Sequence, residues 1–194
     1  MAVAGLVLAA GAGTRFGAHP KQLADFHGRP LLEWAVRAQC SVSELSRVVV
    51  VLGSSAALIR DGVEFGRAST VVCDEWASGQ ASSLRRGVEF LRSTVDVSAV
   101  IVTLGDAPLV TPEVISMFVS QPPRARAVYG GRPGHPVVLG PEEITALTSL
   151  QGDEGARGLL RGGPQVEVGH LCSGRDVDTP EDLEEVRHEA RAVI

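Results

Sequence analysis

Val3-Ala4-Gly5-Leu6-Val7-Leu8-Ala9-Ala10-Gly11-Ala12-Gly13-Thr14-Arg15-Phe16-Gly17 opens the chain and decides how the rest is read. Val3–Leu8 is near-continuously apolar rather than alternating, the pattern of a strand covered on both faces. A cluster of glycines follows at once. Similar stretches recur at Val48–Leu52, Thr70–Cys73, Ala99–Leu104, Val137–Leu139 and Val166–Val168. Helical patterns lie between them. Pro30–Cys40 places Leu31, Leu32, Ala35 and Val36 on one stripe, and Ser82–Ser93 aligns Leu84, Val88 and Leu91. Thr111-Pro112-Glu113 and Thr179-Pro180-Glu181-Asp182 each open a helix with a cap residue, a proline at the first helical position and an acid in the first turn. Strands alternating with helices predict an α/β fold: one domain over residues 1–194, a doubly wound, mostly parallel Rossmann-like sheet with helices on both faces. Ligands then belong at the carboxyl ends of the strands.

Composition narrows the classes. The chain has 194 residues, is 44% hydrophobic and carries a formal net charge of −5. A domain of that length buries roughly 70% of the surface its unfolded chain exposes, so no staple is needed. An acidic chain with one Tyr and two Trp has no global electrostatic case for nucleic acid. No apolar run approaches the ~20 residues that span a bilayer, so no membrane partner is expected. The N-terminus lacks the basic region of a signal peptide, and Cys40, Cys73 and Cys172 are odd in number and far apart. Both features point to the cytoplasm and away from a disulfide scaffold or a CxxC site. The 18 basic residues include a single lysine, Lys21. Its survival among arginines raises the question of whether that position needs a compact ammonium.

Lys21 lies in the one stretch that breaks the rhythm. About 20 residues, Ala9 to Arg29, separate the first strand from its helix, where a βα loop usually takes 2–6. Glycines here let backbone N–H groups converge on phosphate oxygens. Arg15 offers a bidentate fork and Lys21 a point charge. A dinucleotide turn needs G-x-G-x-x-G running straight into a helix and an acid after the second strand. Gly11, Gly13 and Gly17 instead spell G-x-G-x-x-x-G, Pro20 interrupts, and Gly53-Ser54-Ser55 follows Leu52. A P-loop fails because Lys21 follows proline. A purely structural glycine loop would leave Arg15 and Lys21 unexplained.

Acids stand where a metal would need them. Asp106 follows the fourth strand at the ligand-binding edge, and Mg²⁺ typically takes one or two carboxylates plus substrate phosphates. A turn aspartate that satisfies backbone N–H groups is the plain alternative. In Arg175-Asp176-Val177-Asp178-Thr179, alternation puts Asp176 and Asp178 on one side, so either could reach a metal, although acids before a helix cap are common. Ser82 and Ser83 either cap the helix or hydrogen-bond a base or ribose. Gly130–Val137 reads as a dense turn before a strand. There is no G-x-S-x-G elbow, and the five histidines form no i,i+4 metal pair.

Leu8-Ala9-Ala10-Gly11-Ala12-Gly13-Thr14-Arg15-Phe16-Gly17 with Pro20-Lys21 resembles the L-A-[AG]-G-x-[GS]-x-R-[MF]-G…K opening of the nucleotidyltransferases, closest to the molybdenum-cofactor (MobA-like) group. The resemblance implies the nucleotide-diphospho-sugar transferase type of fold. It also implies that Leu8, Ala9, Ala10, Gly11, Gly13, Thr14, Arg15 and Lys21 bind the nucleotide, with Arg15 and Lys21 neutralising the departing pyrophosphate. Gly105-Asp106-Ala107-Pro108-Leu109-Val110 resembles the family's G-D-x-P-L-[VI], whose aspartate binds Mg²⁺. Asp176–Leu183 resembles its D-x-D-T-P-E-D-L, which implies a second metal-contacting aspartate, with Asp178 favoured. Gly79–Gly87 resembles the G-[MQ]-[AS]-S-S-[LI]-R-x-G block of the molybdopterin cytidylyltransferase branch, which places Gly79, Ser82 and Ser83 beside the nucleoside. Gly131–Val137 resembles G-x-x-G-[HN]-P-V and Gly152–Arg157 resembles G-D-x-G-A-R. His135 and Arg157 thereby become candidate acceptor contacts within an acceptor region spanning about 125–175.

The implied activity is a nucleotidyl transfer dependent on Mg²⁺ (or Mn²⁺), with Arg15, Lys21 and Asp106 catalytic and Asp106 and Asp178 holding the metal. The Leu8-Ala9-Ala10-Gly11 form resembles the cytidylyl branch, whereas guanylyl relatives prefer L-A-G-G, so CTP is the favoured NTP. The implied acceptor is a phosphorylated small molecule, molybdopterin, with a molybdoenzyme or its chaperone as protein partner. Guanylyl transfer and sugar- or polyol-phosphate acceptors remain open on the same fold. A non-catalytic nucleotide-binding or cofactor-chaperone protein is the alternative from another class.

Overall fold

A computed structural model describes residues 2–17, 19–147 and 158–190. In chain order its elements are β1 (Ala2–Ala9), the short hairpin β2 (Asp25–Phe26) and β3 (Arg29–Pro30), α1 (Leu31–Cys40), β4 (Val48–Leu52), α2 (Ala56–Gly62), β5 (Ser69–Val72), α3 (Gln80–Thr94), β6 (Val97–Leu104), α4 (Pro112–Val119), β7 (Arg126–Tyr129), β8 (Arg132–Leu139), α5 (Pro141–Ala146), β9 (Gln165–Glu167) and α6 (Pro180–Ala190). Seven strands form one sheet in the order β5-β4-β1-β6-β8-β7-β9. β5, β4, β1 and β6 run parallel, β8 is antiparallel to both of its neighbours, and β9 is parallel to β7. The expected doubly wound, mostly parallel sheet is what forms. No helix among the described residues is long and apolar enough to cross a membrane.

β1 explains why its sequence is apolar throughout. Successive strand side chains point to opposite faces. Ala4, Leu6 and Leu8 pack with Leu84, Val88 and Leu91 of α3, while Val7 and Ala9 pack with Leu32, Ala35 and Val36 of α1. Helices therefore cover both faces of the central strand. On the α3 face the approach is close: a Cβ at Gly87 would stand 2.5 Å from Leu6 Cδ1 and 2.7 Å from Val51 Cγ2. α4 covers the far half of the sheet through Val114, Ile115 and Phe118. α6 seats Leu183 and Val186 with Phe26, Leu31 and Val177.

The expected helix starts hold. Thr111 Oγ1 accepts the Val114 N–H at 3.3 Å ahead of α4. At α6 the pairing is reciprocal: Asp182 N–H donates to Thr179 Oγ1 (3.1 Å) and Thr179 N–H to Asp182 Oδ2 (2.8 Å). This is a capping box.

Three departures have physical reasons. β7 carries no strand signal of its own, because Arg126-Ala127-Val128-Tyr129 is short and mixed. α2 and α5 are too short for their periodicity to show. Gly130–Val137 is not one dense turn: only Gly130 and Gly131 turn (φ 57° and 80°), closing a two-residue hairpin, and β8 already runs from Arg132. Pro133, Gly134 and Pro136 conceal it. β8 pairs with β6 only from Val137 onward. Upstream of Val137 it parts from β6, and a cleft opens between them.

Candidate active site

β1 and β6 are adjacent and parallel, with Leu8 paired to Leu104, so their carboxyl ends emerge side by side. One emits the glycine loop and the other Gly105-Asp106. The loop doubles back because Gln22, itself buried, donates from Nε2 to the carbonyls of Ala9 (3.2 Å) and Gly11 (3.0 Å). Gly13 adopts a left-handed backbone (φ 59°), and a Cβ there would press on Lys21 Cγ at 3.1 Å. The loop thus folds against the stem of Lys21, which begins a single 3-10 turn over Lys21–Leu23.

Lys21 is 7% exposed. Its Nζ donates to Asp106 Oδ2 (2.6 Å), the Val177 carbonyl (2.9 Å) and Asp178 Oδ1 (3.0 Å). An ammonium has three hydrogens, and all three are used. Burial alone would push its pKa down, but Asp106 and then Asp178 outweigh burial and raise it above the ordinary lysine value. Arg15, largely in solvent, reaches Asp178 Oδ2 at 2.8 Å. The Val177 N–H donates to the Asp106 carbonyl at 2.8 Å, stitching the segment before α6 to the end of β6. Asp182 Oδ2 also accepts the Asp178 N–H at 3.0 Å, so the cap of α6 fixes where Asp178 stands.

Arg15, Lys21, Asp106 and Asp178 therefore share one cleft of about 250 Å³, also lined by Leu8, Ala9, Gly11, Gly13 and Thr14. Ala10 is the exception in the loop. It faces the core, and its carbonyl accepts the Ser54 N–H at 3.0 Å. Carboxylates lying 85 and 157 residues from Lys21 have been brought to one ammonium.

Residues 5–168 match the MobA-like NTP transferase domain. The chain belongs to the MobA-like NTP transferase family. It is 33% identical to nicotine blue oxidoreductase of Paenarthrobacter nicotinovorans, over 93% of this chain and 94% of that protein. A crystal structure of the Rv0371c homologue from Mycobacterium sp. strain JC1 superposes with a TM-score of 0.85 at 27% identity, covering 99% of this chain and 98% of that one. Mycobacterium tuberculosis Rv0371c in complex with manganese shares the fold, with a TM-score of 0.79 at 24% identity over 97% of this chain and 99% of that one.

In this MobA-like nucleotidyltransferase, Gly79, Ser82 and Ser83 lie at the start of α3, outside the lining of the first cleft. Gly79 takes a φ of 113° ahead of the helix. Ser82 Oγ turns to the preceding carbonyls of Glu75 (2.8 Å) and Gly79 (2.7 Å), a structural use of its hydroxyl. Ser83 is buried beside it.

A second, larger cleft of about 730 Å³ meets the first at Leu8 and follows the opening between β6 and β8. His135 lines it, as do Arg126, Arg132 and Arg175. The sequence reading missed these arginines because two of them sit on β7 and on the hidden part of β8. Tyr129 donates its hydroxyl to the His135 carbonyl, and burial pushes the phenol pKa up. Arg157 and its motif lie outside the described residues. Asp176 also lines this second cleft. Its side chain is open to solvent, yet protein crowds it on several sides. Burial, then the charges of Asp106 and Asp178, push its carboxyl up to about 7 against the pull of Lys21. Val177 between the two acids points into the core, while Asp178 lines the first cleft and Asp176 the second.

The donor set suits a hard cation. Among the described residues no three His, Cys, Asp or Glu side chains cluster as a complete metal site. Two convergent carboxylates with room for phosphate oxygens are nevertheless what Mg²⁺ ordinarily takes from a protein. Asp106 Oδ1 is buried with no hydrogen-bond partner among the described residues, an orphaned acceptor that a cation would satisfy.

Proposed function

We propose that this protein transfers the nucleotidyl group of CTP to a phosphorylated acceptor, molybdopterin, with release of pyrophosphate and dependence on Mg²⁺ or Mn²⁺. One observation carries the reading: Lys21 Nζ bridges Asp106 and Asp178 at the floor of the glycine loop. That arrangement supports a cleft in which Arg15 and Lys21 could meet a triphosphate beside two carboxylates able to hold a metal.

Transfer at phosphorus asks a protein mainly for in-line positioning and charge neutralisation. The amides of Gly11–Thr14 would cradle the β- and γ-phosphates. Arg15 and Lys21 would hold the negative charge that grows on pyrophosphate as it leaves. The acceptor phosphate is already ionised at pH 7, so no protein base is required. Asp106 and Asp178 would hold the divalent cation, which would supply charge neutralisation to the bound phosphates. Three arginines along the second cleft suit an acceptor with anionic groups, which supports residues near 125–175 as the acceptor region. CTP and molybdopterin rest on the Leu8–Gly11 and Gly79–Gly87 resemblances. Delivery to a molybdoenzyme or its chaperone, in the cytoplasm, would follow from that acceptor.

The relative named nicotine blue oxidoreductase favours one second reading, electron transfer on the same fold. Against it stands the loop itself, spelled G-x-G-x-x-x-G, with no acid after β4 for a dinucleotide ribose. The test is a matrix of CTP, GTP, ATP and UTP against molybdopterin, sugar phosphates and polyol phosphates, with pyrophosphate as readout. NADH and NADPH oxidation are followed in parallel. Pyrophosphate release with CTP and molybdopterin supports the proposal. Nicotinamide oxidation without pyrophosphate, or nucleotide binding without turnover in every well, overturns it.

A further inference from the structure

We infer that Lys21 is a resident occupant of the cation site, which keeps a divalent metal off Asp106 and Asp178 until a bound nucleotide draws the ammonium away. The inference rests on the nucleotidyl-transfer reading of the cleft and deepens it by adding an order to the binding events.

The geometry is that of competition for the same oxygens. Nζ takes one carboxylate oxygen from Asp106, one from Asp178 and the Val177 carbonyl, at 2.6–3.0 Å. These are hard oxygen donors of the kind a divalent cation takes at about 2.0–2.1 Å. Lys21 and a metal cannot use these three oxygens together, and with Arg15 on Asp178 Oδ2 a metal arriving alone finds one carboxylate oxygen of the pair unpaired among the described residues, Asp106 Oδ1. With Arg15 on Asp178, two cations already balance Asp106 and Asp178, so a metal arriving alone finds those two carboxylates neutralised. A nucleotide reverses the balance. Its phosphates bring several negative charges to the glycine loop, and the Lys21 stem lies beside that loop, where a Cβ at Gly13 would stand 3.1 Å from its Cγ. The four-carbon stem can swing Nζ toward those phosphates, which frees both carboxylates.

The choice of lysine fits the role. A compact ammonium can stand at an ion's position among three oxygens, whereas a planar guanidinium spreads its donors into a fork. In a chain whose other basic residues are all arginine, lysine stands at this position. The consequence is thermodynamic coupling. Nucleotide and metal should each strengthen the other's binding by the same factor, and such couplings typically run to roughly 5–150-fold.

Two measurements test it. The first is Mn²⁺ binding, followed as loss of the free-ion paramagnetic resonance signal, with MnCl₂ alone and with CTP in the absence of acceptor. After subtraction of the Mn²⁺ taken up by CTP in a protein-free control, wild-type protein should bind Mn²⁺ weakly alone and roughly 10–100-fold more tightly with CTP. Lys21→Met should gain Mn²⁺ affinity without nucleotide, and adding Asp106→Asn should abolish the gain. Equal nucleotide-free affinity in wild type and in folded Lys21→Met overturns the inference. The second uses wild-type protein only and needs no variant to fold. Lysine labelled with ¹³C at Cε reports one side chain here. Mg²⁺ alone should leave that resonance in place, and Mg²⁺ with CTP should move it. Movement by the same Mg²⁺ concentration alone overturns the inference. If CTP fails to bind at all, the functional reading falls, while a nucleotide-free gain in Lys21→Met would still establish the occupant.

Discussion

The ammonium of Lys21 and the carboxylate of Asp106 stand 2.6 Å apart with Lys21 almost wholly buried, although 85 residues of chain separate them. β1 and β6 are hydrogen-bonded neighbours in the sheet, and each releases its loop at the same edge. The pair is therefore a product of sheet order.

Turnover should depend on this pair and its third member. Loss of one preorganised charge stabiliser typically costs ~10²–10³ in rate. Lys21→Ala, Asp106→Asn and Asp178→Asn should each lose about that much in pyrophosphate release. Circular dichroism should still show a folded chain. Wild-type turnover in Asp106→Asn with Mg²⁺ present would remove Asp106 from the metal site.

Asp176 and Asp178 should separate cleanly. Asp178 touches Lys21 and Arg15, whereas Asp176 lines the neighbouring cleft. Asp176→Asn should therefore fall by less than about tenfold, well short of the loss expected for a stabiliser in contact with the reacting phosphates. A larger defect in Asp176→Asn than in Asp178→Asn would exchange their roles.

The same Asp176 predicts a pH signature in protein free of metal and nucleotide. Burial, then the charges of Asp106 and Asp178, push its folded carboxyl up to about 7, above the ~3.9 of an unfolded chain, and solvent at its exposed side screens that shift. A raised acid favours folding in its neutral form, so its contribution is complete below the unfolded pKa and is lost as pH rises toward 7. Asp176→Asn should match the wild-type melting temperature near pH 4 and exceed it near pH 8. An equal difference at both pH values would show that the carboxyl is not shifted.

The start of α6 should matter to both stability and site. Thr179→Ala removes the hydroxyl that accepts the Asp182 N–H, a type of cap worth about 1 kcal/mol. Urea denaturation should register that loss. Nucleotide-dependent Mn²⁺ affinity should fall with it, because the same cap fixes Asp178. Unchanged denaturation would show that Thr179 does not cap the helix.

CTP with Mg²⁺ should raise the melting temperature, since a ligand at ~100 times its dissociation constant adds about 2.7 kcal/mol. GTP should raise it less if the Leu8–Gly11 resemblance reads the base. A larger rise with GTP would transfer the nucleotide preference.

Much of this protein was readable along its length. The apolar run of β1 announced a strand covered on both faces, and the Thr-Pro openings of α4 and α6 carried their caps in plain residues. Loop composition singled out Arg15 and Lys21, since glycine conformation and fixed charge are local properties. What stayed hidden was also local in origin. β7 is short, the start of β8 is masked by prolines, and two arginines of the second cleft, Arg126 and Arg132, rode on those two strands. The choice between Asp176 and Asp178 was not written in the spacing, because alternation treats them alike. The family resemblance favoured Asp178; in the packed molecule Val177 is seated in the core, Asp178 accepts hydrogen bonds from Lys21 and Arg15, and Asp176 lines the neighbouring cleft. Residue types were a matter of sequence. Which charge meets which depended on strand order and helix docking, because burial of apolar surface brings distant segments together without regard to their separation along the chain.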